Sequence, residues 1–558
     1  MSPFFLLLII RKLYFYFMQK LRSETTDTKN QNQQDNQSTS RTRRAVSIAA
    51  VIMMGSVLLS RITGLLREQV LANFGGTSIE MDAYVTAFLI PELLNHFLAG
   101  GLLSTTFIPI FQKHIVAGKR NDAWKSFSNL LSIGTALFVV VIPVAMILTP
   151  DLLGVMGSGI SDPQVLSLTA KMTRIILPAQ ILFYIGAFFS AVQMAEQKFF
   201  LPALAPLFYN IGIIMGGIFL GPHLGVEGFA WGVLIGAFLS NILIQLPGAI
   251  RTGMKFSIRF DFHDPDLGIY IRKTIPLVLG IGMAFSNEIF FRFFGSFLPE
   301  GATSSVNYAL RTMMMVVAVF GQSSGVAFYP FLSRMAAQNQ IEKMDQLINS
   351  VLTRIASFII PLSIIMMVLS EQIISILFEY GNFTHESTLK TASVFTVYLT
   401  GCFTFSSSMI MTRTFYAMQN TMLPMIISTT ISVTSIPLYL VFSRFWGAPG
   451  IALASVIAMT IQFLVLYLAW QIKMVKWKNT KRTALIIAKI ILISLTGAGV
   501  GLLIKNWTNE FFVSGSQLFK NLMISALSAF PSLLIVAIFY ELSGVQNIRK
   551  TLQIFKRK

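Results

Sequence analysis

Apolar residues along this chain gather into runs of roughly 20, the length a helix needs to cross a hydrocarbon core about 30 Å thick. Fourteen such runs can be traced, separated by short polar or charged connections. They predict helices near 45–73, 80–112, 123–148, 164–195, 200–220 and 226–250, and again near 269–298, 302–334, 346–369, 388–418, 422–443 and 447–471. Two more follow near 484–505 and 519–542. The longest runs contain Gly or Pro, as in Ala99-Gly100-Gly101 and Gly321–Gly325, and bends or breaks are expected there.

The runs are not independent of one another. Gln197 with Leu201-Pro202 recurs as Gln419 with Leu423-Pro424, 222 residues on. Gly225-x-x-Gly228-x-Ala230 recurs as Gly447-x-x-Gly450-x-Ala452 at the same offset, and Phe107-x-Pro109 recurs as Phe328-x-Pro330 at 221. The first twelve runs therefore read as two copies of a six-helix unit with two helices appended. An even number of helices per copy starts both on one side, so the repeat is parallel. Repeats of this kind rock about a central cavity, with the cargo site between them near the midplane.

The expected fold is all-α: a polytopic membrane protein of 14 transmembrane helices, two parallel six-helix repeats around a central cavity plus two C-terminal helices. Its organisation reads as a disordered cytoplasmic tail over 1–44 and a first repeat over 45–250. A cytoplasmic linker over 251–268 leads to a second repeat over 269–471. The two additional helices fall within 472–542, and 543–558 is a basic cytoplasmic tail.

Composition agrees with this class. Hydrophobic residues make up 54% and charged residues 12%, with a mean hydropathy of +0.67, which excludes an ordinary soluble domain. A net charge of +19 could suggest nucleic acid, but the basic residues sit in short connections between apolar runs, as the positive-inside rule requires. Arg41, Arg43 and Arg44 precede the first run, and Lys113, Lys119, Arg120 and Lys125 follow the second. Arg251, Lys255, Arg259, Arg272 and Lys273 lie between the sixth and seventh. Lys473, Lys476, Lys478, Lys481 and Arg482 follow the twelfth, and Arg549, Lys550, Lys556, Arg557 and Lys558 end the chain. The alternate connections carry Asp151 and Asp162, Glu300, or Glu371, Glu379 and Glu386. Both termini are therefore expected in the cytoplasm.

The single cysteine, Cys402, and five scattered histidines offer no disulfide framework and no zinc-ligating cluster. At the amino terminus, Phe4–Ile10 is apolar but too short to span, and no small-residue cleavage site follows. Residues 1–17 read either as an interfacial helix or as sequence upstream of a true start at Met18. Residues 23–44, rich in Ser, Thr, Asn and Gln, read as disordered.

Candidate chemistry lies in the few costly residues inside the apolar runs. The first copy has Arg61, Arg67, Glu68, Asp82 and Glu92; the second has Glu288, Arg292, Arg311 and Arg413. A charge at the bilayer centre costs roughly 2.5–3.5 kcal/mol on insertion scales. Some of these have bland explanations. A lone arginine near a helix end can snorkel, and Glu288 and Arg292, four apart, can neutralise each other on one helix face. Arg61 and Arg311 lie deeper and lack an obvious local partner, which points to a wet cavity. Their planar guanidinium forks suit a pyrophosphate. The breaks at Gly100-Gly101 and Gln322–Gly325 occupy corresponding places in the two copies, a pointer to a transport site or, more simply, to close helix packing.

Several motifs then resemble one family. Ser60-Arg61-x-x-Gly64-x-x-Arg67, Asp82-Ala83-Tyr84-x-x-Ala87-Phe88, Pro91-x-Leu93-Leu94 and Leu103-Ser104-x-x-Phe107-x-Pro109 look like the opening signature of the MurJ/MviN lipid II flippases, within the multidrug/oligosaccharidyl-lipid/polysaccharide exporter superfamily. Asn307-Tyr308-Ala309-Leu310-Arg311 resembles that family's eighth-helix segment, and the likeness runs from about Ala45 to Glu541. The resemblance implies substrate-binding roles for Arg61, Arg67, Asp82 and Arg311. Glu68, Asn95, His96, Glu288 and Arg292 are further cavity candidates. Where many members carry an Arg-Arg pair this chain has Asn95-His96, and where they carry Ala-Glu-Gly it has Ala99-Gly100-Gly101.

The resemblance implies a transporter, not an enzyme: a flippase carrying undecaprenyl-pyrophosphate-linked peptidoglycan precursor, lipid II, from the inner to the outer leaflet of a bacterial cytoplasmic membrane. Its partners would be that cargo and membrane lipids, not nucleic acid, and the chain would act as a monomer. No Gly-rich Lys-Ser/Thr phosphate loop is found. No cofactor is therefore expected, and the drive would come from an ion gradient or the membrane potential. Alternatives are an exporter of another polyprenyl-linked glycan, or a multidrug antiporter, against which the arginines argue. A membrane glycosyltransferase would want larger extramembrane loops than 251–268 and 370–387 provide.

Overall fold

The computed structural model describes Ser56 and residues 59–98, 102–156, 159–160, 162–279, 283–475, 480–511 and 516–544. The readings of residues 1–44, of Gly100-Gly101 and of the basic tail after 544 fall outside these. Among the described residues all regular secondary structure is helical, without strands. The first half comprises α1 (59–75), α2 (Ile79–Thr86), α3 (Leu89–Leu98), α4 (Leu102–Val116), α5 (Arg120–Ile147), α6 (Thr149–Met156), α7 (Pro163–Ile176), α8 (Ala179–Ala195), α9 (Phe200–Leu224) and α10 (Glu227–Ile250). The second comprises α11 (Pro265–Leu279), α12 (Met283–Gly295), α13 (Ala302–Ala337), α14 (Ile341–Val368), α15 (Ser370–Phe378), α16 (His385–Thr400), α17 (Cys402–Ala417) and α18 (Met422–Trp470). Last come α19 (Thr480–Phe511), packed on α14, and α20 (Gln517–Leu542), packed on α19.

Nine helical stretches among the described residues are long and apolar enough to cross a membrane, or ten if α16 and α17, bent by 46° at Gly401, form one span. The apolar runs differ from this in instructive ways. Within the run 80–112, α2 gives way to α3 at a turn over Ala87-Phe88; residues 99–101, between α3 and α4, and 280–282, between α11 and α12, lie outside the described residues. The runs 422–443 and 447–471 are, as predicted, two helices: α18 is kinked at Gly447, whose φ 59° and ψ −133° are not helical, and its two parts fold together so that the Tyr439 and Ser455 hydroxyls meet at 2.9 Å. At Gly321 the expected break is instead a wide π-helical turn, Ala318–Gln322, inside an unbroken α13. Two short helices, α6 and α15, occupy connections that the apolar pattern left as loops.

Local geometry recurs at the sequence offset. Helices α5 and α14 each run 28 residues. Helices α7 and α16 start 222 residues apart, capped by the Asp162 carboxylate and the Thr384 hydroxyl. Gln197 and Gln419 both take φ 59°. Each closes a helix with the paired N–H bonds of a Schellman turn, Lys198 to Gln193 at 2.8 Å and Asn420 to Phe415 at 3.0 Å.

Close approach of backbones explains one glycine pattern. A Cβ on Gly212 would lie 2.2 Å from the Cα of Gly236, and one on Gly216 would lie 2.4 Å from that of Gly232. Small residues four apart on α9 and α10 let these helices touch backbone to backbone, as small residues do where lipid offers no hydrophobic drive. The main buried core spans both halves, joining Tyr84 and Phe229 to Tyr308, Phe378 and Tyr398.

Candidate functional site

A cavity of about 440 Å³ lies between the halves. Ser60, Arg61, Gly64, Arg67 and Glu68 of α1 line one wall, at helical spacings that put them on one face. Pro202, Pro206 and Asn210 of α9 form a second wall, and Arg311, Thr312, Met315 and Gln322 of α13 a third. Met194 and Phe199 extend the lining toward the end of the bundle that carries Arg120 and Lys198.

The three cavity arginines have different partners. Arg61 donates from Nη2 to the side-chain amide oxygen of Gln322 at 2.9 Å, and among the described residues it makes no ion pair. Its charge is left for something else to neutralise. Arg67 pairs with its neighbour Glu68 and donates to Asn210 Oδ1 at 3.2 Å. Glu68 is buried and also accepts from Asn307 Nδ2 at 3.4 Å. Arg311 is held by both oxygens of Glu288, at 3.0 and 3.1 Å. The partner is not a local one: Glu288, 23 residues earlier, comes from the antecedent helix α12.

Glu288 is shared. Arg292 reaches it at 3.3 Å, as the four-residue spacing predicts, but its closer partner is Glu92 of the first half, at 2.6 and 3.1 Å. Arg292 is 2% exposed and does not line the cavity. Arg311–Glu288–Arg292–Glu92 is therefore one chain of alternating charges joining the halves, and it satisfies buried ions that would otherwise be costly.

Asp82, expected among the binding residues, is not in the cavity wall. Its two oxygens accept the backbone N–H groups of Gly301 at 2.8 Å and Ser304 at 2.7 Å. A carboxylate from the first half thus caps the N-terminus of α13 in the second, where orphan N–H groups and the helix dipole favour negative charge. Around it, Ile79 N–H donates to Glu300, Thr77 meets Ser387 at 2.7 Å, Asn382 N–H donates to Asn73 O at 2.9 Å and Tyr308 donates to Gly76 O at 3.2 Å. This end, rich in acidic connections, is latched shut. Asn95 and His96 sit half-buried on α3, outside the cavity lining.

The residues that sequence reasoning passed over are Asn210 and Thr312, together with Asn307, noted only as part of a family segment, and Gln322, noted only as part of a helix breaker. Asn210 also donates to Ser60 O and Thr63 Oγ1, each at 3.3 Å, and so ties α1 to α9. A polar amide in the apolar run 200–220 was the available signal.

A family model described as "Lipid II flippase MurJ" matches residues 71–523. The chain belongs to the MurJ family. Relatives include "Lipid II flippase MurJ" of Burkholderia cenocepacia, 28% identical over 428 residues, which are 75% of this chain and 83% of that protein. "Probable lipid II flippase MurJ" of Thermotoga maritima is 28% identical over 413 residues, 73% of this chain and 82% of its own length. Among solved structures, "Lipid II flippase MurJ, inward closed conformation" superposes with a TM-score of 0.73 at 24% identity, covering 88% of this chain and 99% of that one. An inward-facing multidrug resistance MATE family transporter of the MOP superfamily shares the fold at a TM-score of 0.61 and 14% identity, over 77% of this chain and 99% of that one. The family is one of transport proteins, and this member is a multi-pass membrane protein of a bacterial inner membrane.

Proposed function

We propose that this chain flips lipid II from the inner to the outer leaflet for cell wall synthesis. One observation carries the reading within the family: Arg61, Arg67 and Arg311 line a single cavity between the halves, and among the described residues Arg61 has only a neutral partner. A pyrophosphate entering there meets a planar fork whose charge is not yet matched. It can then draw Arg67 from Glu68, and Arg311 from Glu288, as it binds. Residues 45–250 and 269–471 would act as the two rocking repeats, with 251–268 as the cytoplasmic linker and 472–542 adding two helices, for fourteen spans in all. The basic connections would face the cytoplasm, as would both termini, so the cavity would open inward while the Asp82 latch holds the outer side closed. The chain would act as a monomer, driven by an ion gradient or the membrane potential.

The test replaces Arg61 or Arg311 with alanine and measures lipid-linked precursor accumulating in the inner leaflet of a strain lacking its own flippase. Both variants should reach the membrane and fail to transport. Arg61→Lys should recover part of the activity, because an ammonium lacks the bidentate fork. Alanine variants that flip at the parental rate would remove these residues from the cargo site.

A further inference from the structure

The connection between α10 and α11 is not a loose linker. Residues 255–261 run extended along α5, and every second residue is bonded to it through the backbone. Ser128 Oγ donates to Lys255 O at 3.4 Å and accepts from Ser257 N–H at 3.2 Å. Ser132 Oγ accepts from Arg259 N–H at 3.2 Å. The Asn129 amide makes a reciprocal pair with the backbone of Asp261, both bonds 2.8 Å. Ser128, Asn129 and Ser132 are buried beneath this strap.

The intervening residues point away. Phe256, Ile258, Phe260 and Phe262 are 49%, 77%, 53% and 70% exposed. The period of two belongs to an extended chain with one face pinned, and the face left over is wholly apolar. Water is a poor partner for four such side chains in a row.

Their depth suggests what covers them. From Ile133 to Leu148, α5 and its end offer no charged side chain, about 24 Å at 1.5 Å per residue. A hydrocarbon core of about 30 Å then begins near Asn129–Ser132, which is where the strap is bonded. Arg251 and Lys255 beside it are exposed; Lys125 and Arg120 of α5, 58% and 53% exposed, pair with Asp122 and Glu196, and Arg259 pairs with Asp261 on the strap itself. An apolar row with aromatic rings, flanked by cations at this level, matches the boundary between headgroups and acyl chains. Arg251 and Lys255, which make no ion pair among the described residues, complement anionic headgroups.

We propose that residues 255–262 form a lipid-docking strap, which seats Phe256, Ile258, Phe260 and Phe262 in the headgroup–acyl boundary of an anionic leaflet and anchors the first half to it. This does not depend on the cargo.

The test places an environment-sensitive fluorophore on Ile258→Cys and, separately, Phe262→Cys in the full chain reconstituted into phosphatidylethanolamine/phosphatidylglycerol vesicles. These side chains are the most exposed of the four, so little packing is lost, and Phe262→Cys serves if the other variant misfolds. The native Cys402 is buried, and label taken up by the unsubstituted chain is the blank. Gln338→Cys, in an exposed polar connection, is the aqueous reference. Both strap labels should emit at shorter wavelength than the reference and be quenched more by nitroxide near the headgroup than at the acyl terminus. Iodide on both sides should quench them several-fold less than the reference. Strap labels quenched by iodide as strongly as Gln338→Cys, and untouched by lipid nitroxides, would overturn the proposal and leave the row to a protein partner.

Discussion

Removing the Asp82 carboxylate should open the latched end of the bundle. In Asp82→Ala the N–H groups of Gly301 and Ser304, held at 2.8 and 2.7 Å, lose their acceptor. A hydrogen bond to a charged group contributes about 1.5–3 kcal/mol, and the two share one carboxylate, so about 3 kcal/mol is a sensible total. At 1.4 kcal/mol per tenfold, the closed state should lose roughly two orders of magnitude in population relative to the open one. The other latch bonds persist, so the result is a shifted mixture and not a permanently open protein. Spin labels on Glu80→Cys in α2 and Glu386→Cys in α16, both exposed near the latch, allow pulsed dipolar spectroscopy to read the two populations. Asp82→Ala should add a longer-distance component, and Asp82→Asn a smaller one, since an amide keeps one acceptor oxygen but sets an NH₂ against an N–H donor. Transport should fall while cargo binding weakens less. A distance distribution unchanged from the parent, in protein of normal yield, would refute the cap as an element of the gate.

Two further outcomes follow from the same contacts. Glu92→Gln strips Arg292 of its bidentate partner at 2.6 and 3.1 Å and leaves Glu288 at 3.3 Å. The cost should approach the lower end of the roughly 3–5 kcal/mol typical of breaking a buried pair. The apparent Tm in detergent should drop clearly, and Arg292→Met added to Glu92→Gln should restore much of it; an unchanged Tm would show that the pair is not needed. For sidedness, reporter fusions after Lys119 and Lys255 should read cytoplasmic and those at Gly159 and Glu379 external, and a cytoplasmic signal at Glu379 would break the proposed topology.

What the linear chain determined about this protein is local or periodic. Spans announce themselves because lipid forces about twenty apolar residues into one helix, and the offset of 222 between Gln197 and Gln419 or Gly225 and Gly447 survives as matching backbone angles. Arg61, Gly64 and Arg67 share a face through helical spacing alone, so one cavity wall was legible from the motif. The positions of chain breaks were less so: Gly321 widens a helix without ending it, because a π-helical turn keeps its carbonyls bonded.

Only the tertiary structure decided the partnerships. Arg311 finds Glu288, Arg292 finds Glu92 some 200 residues away, and Asp82 caps a helix 219 residues on. Nothing within one turn of any of these residues encodes that choice. A buried charge must be satisfied, but which opposite group satisfies it depends on how the two halves meet. The same holds for Asn210, which reaches Arg67 and Ser60 across 143 and 150 residues, and for the strap, whose apolar row looks like an ordinary loop until α5 pins its other face. Hydropathy sorts residues by solvent and so sets the spans. Hydrogen bonds and ion pairs between distant segments depend on three-dimensional proximity, and they set the site.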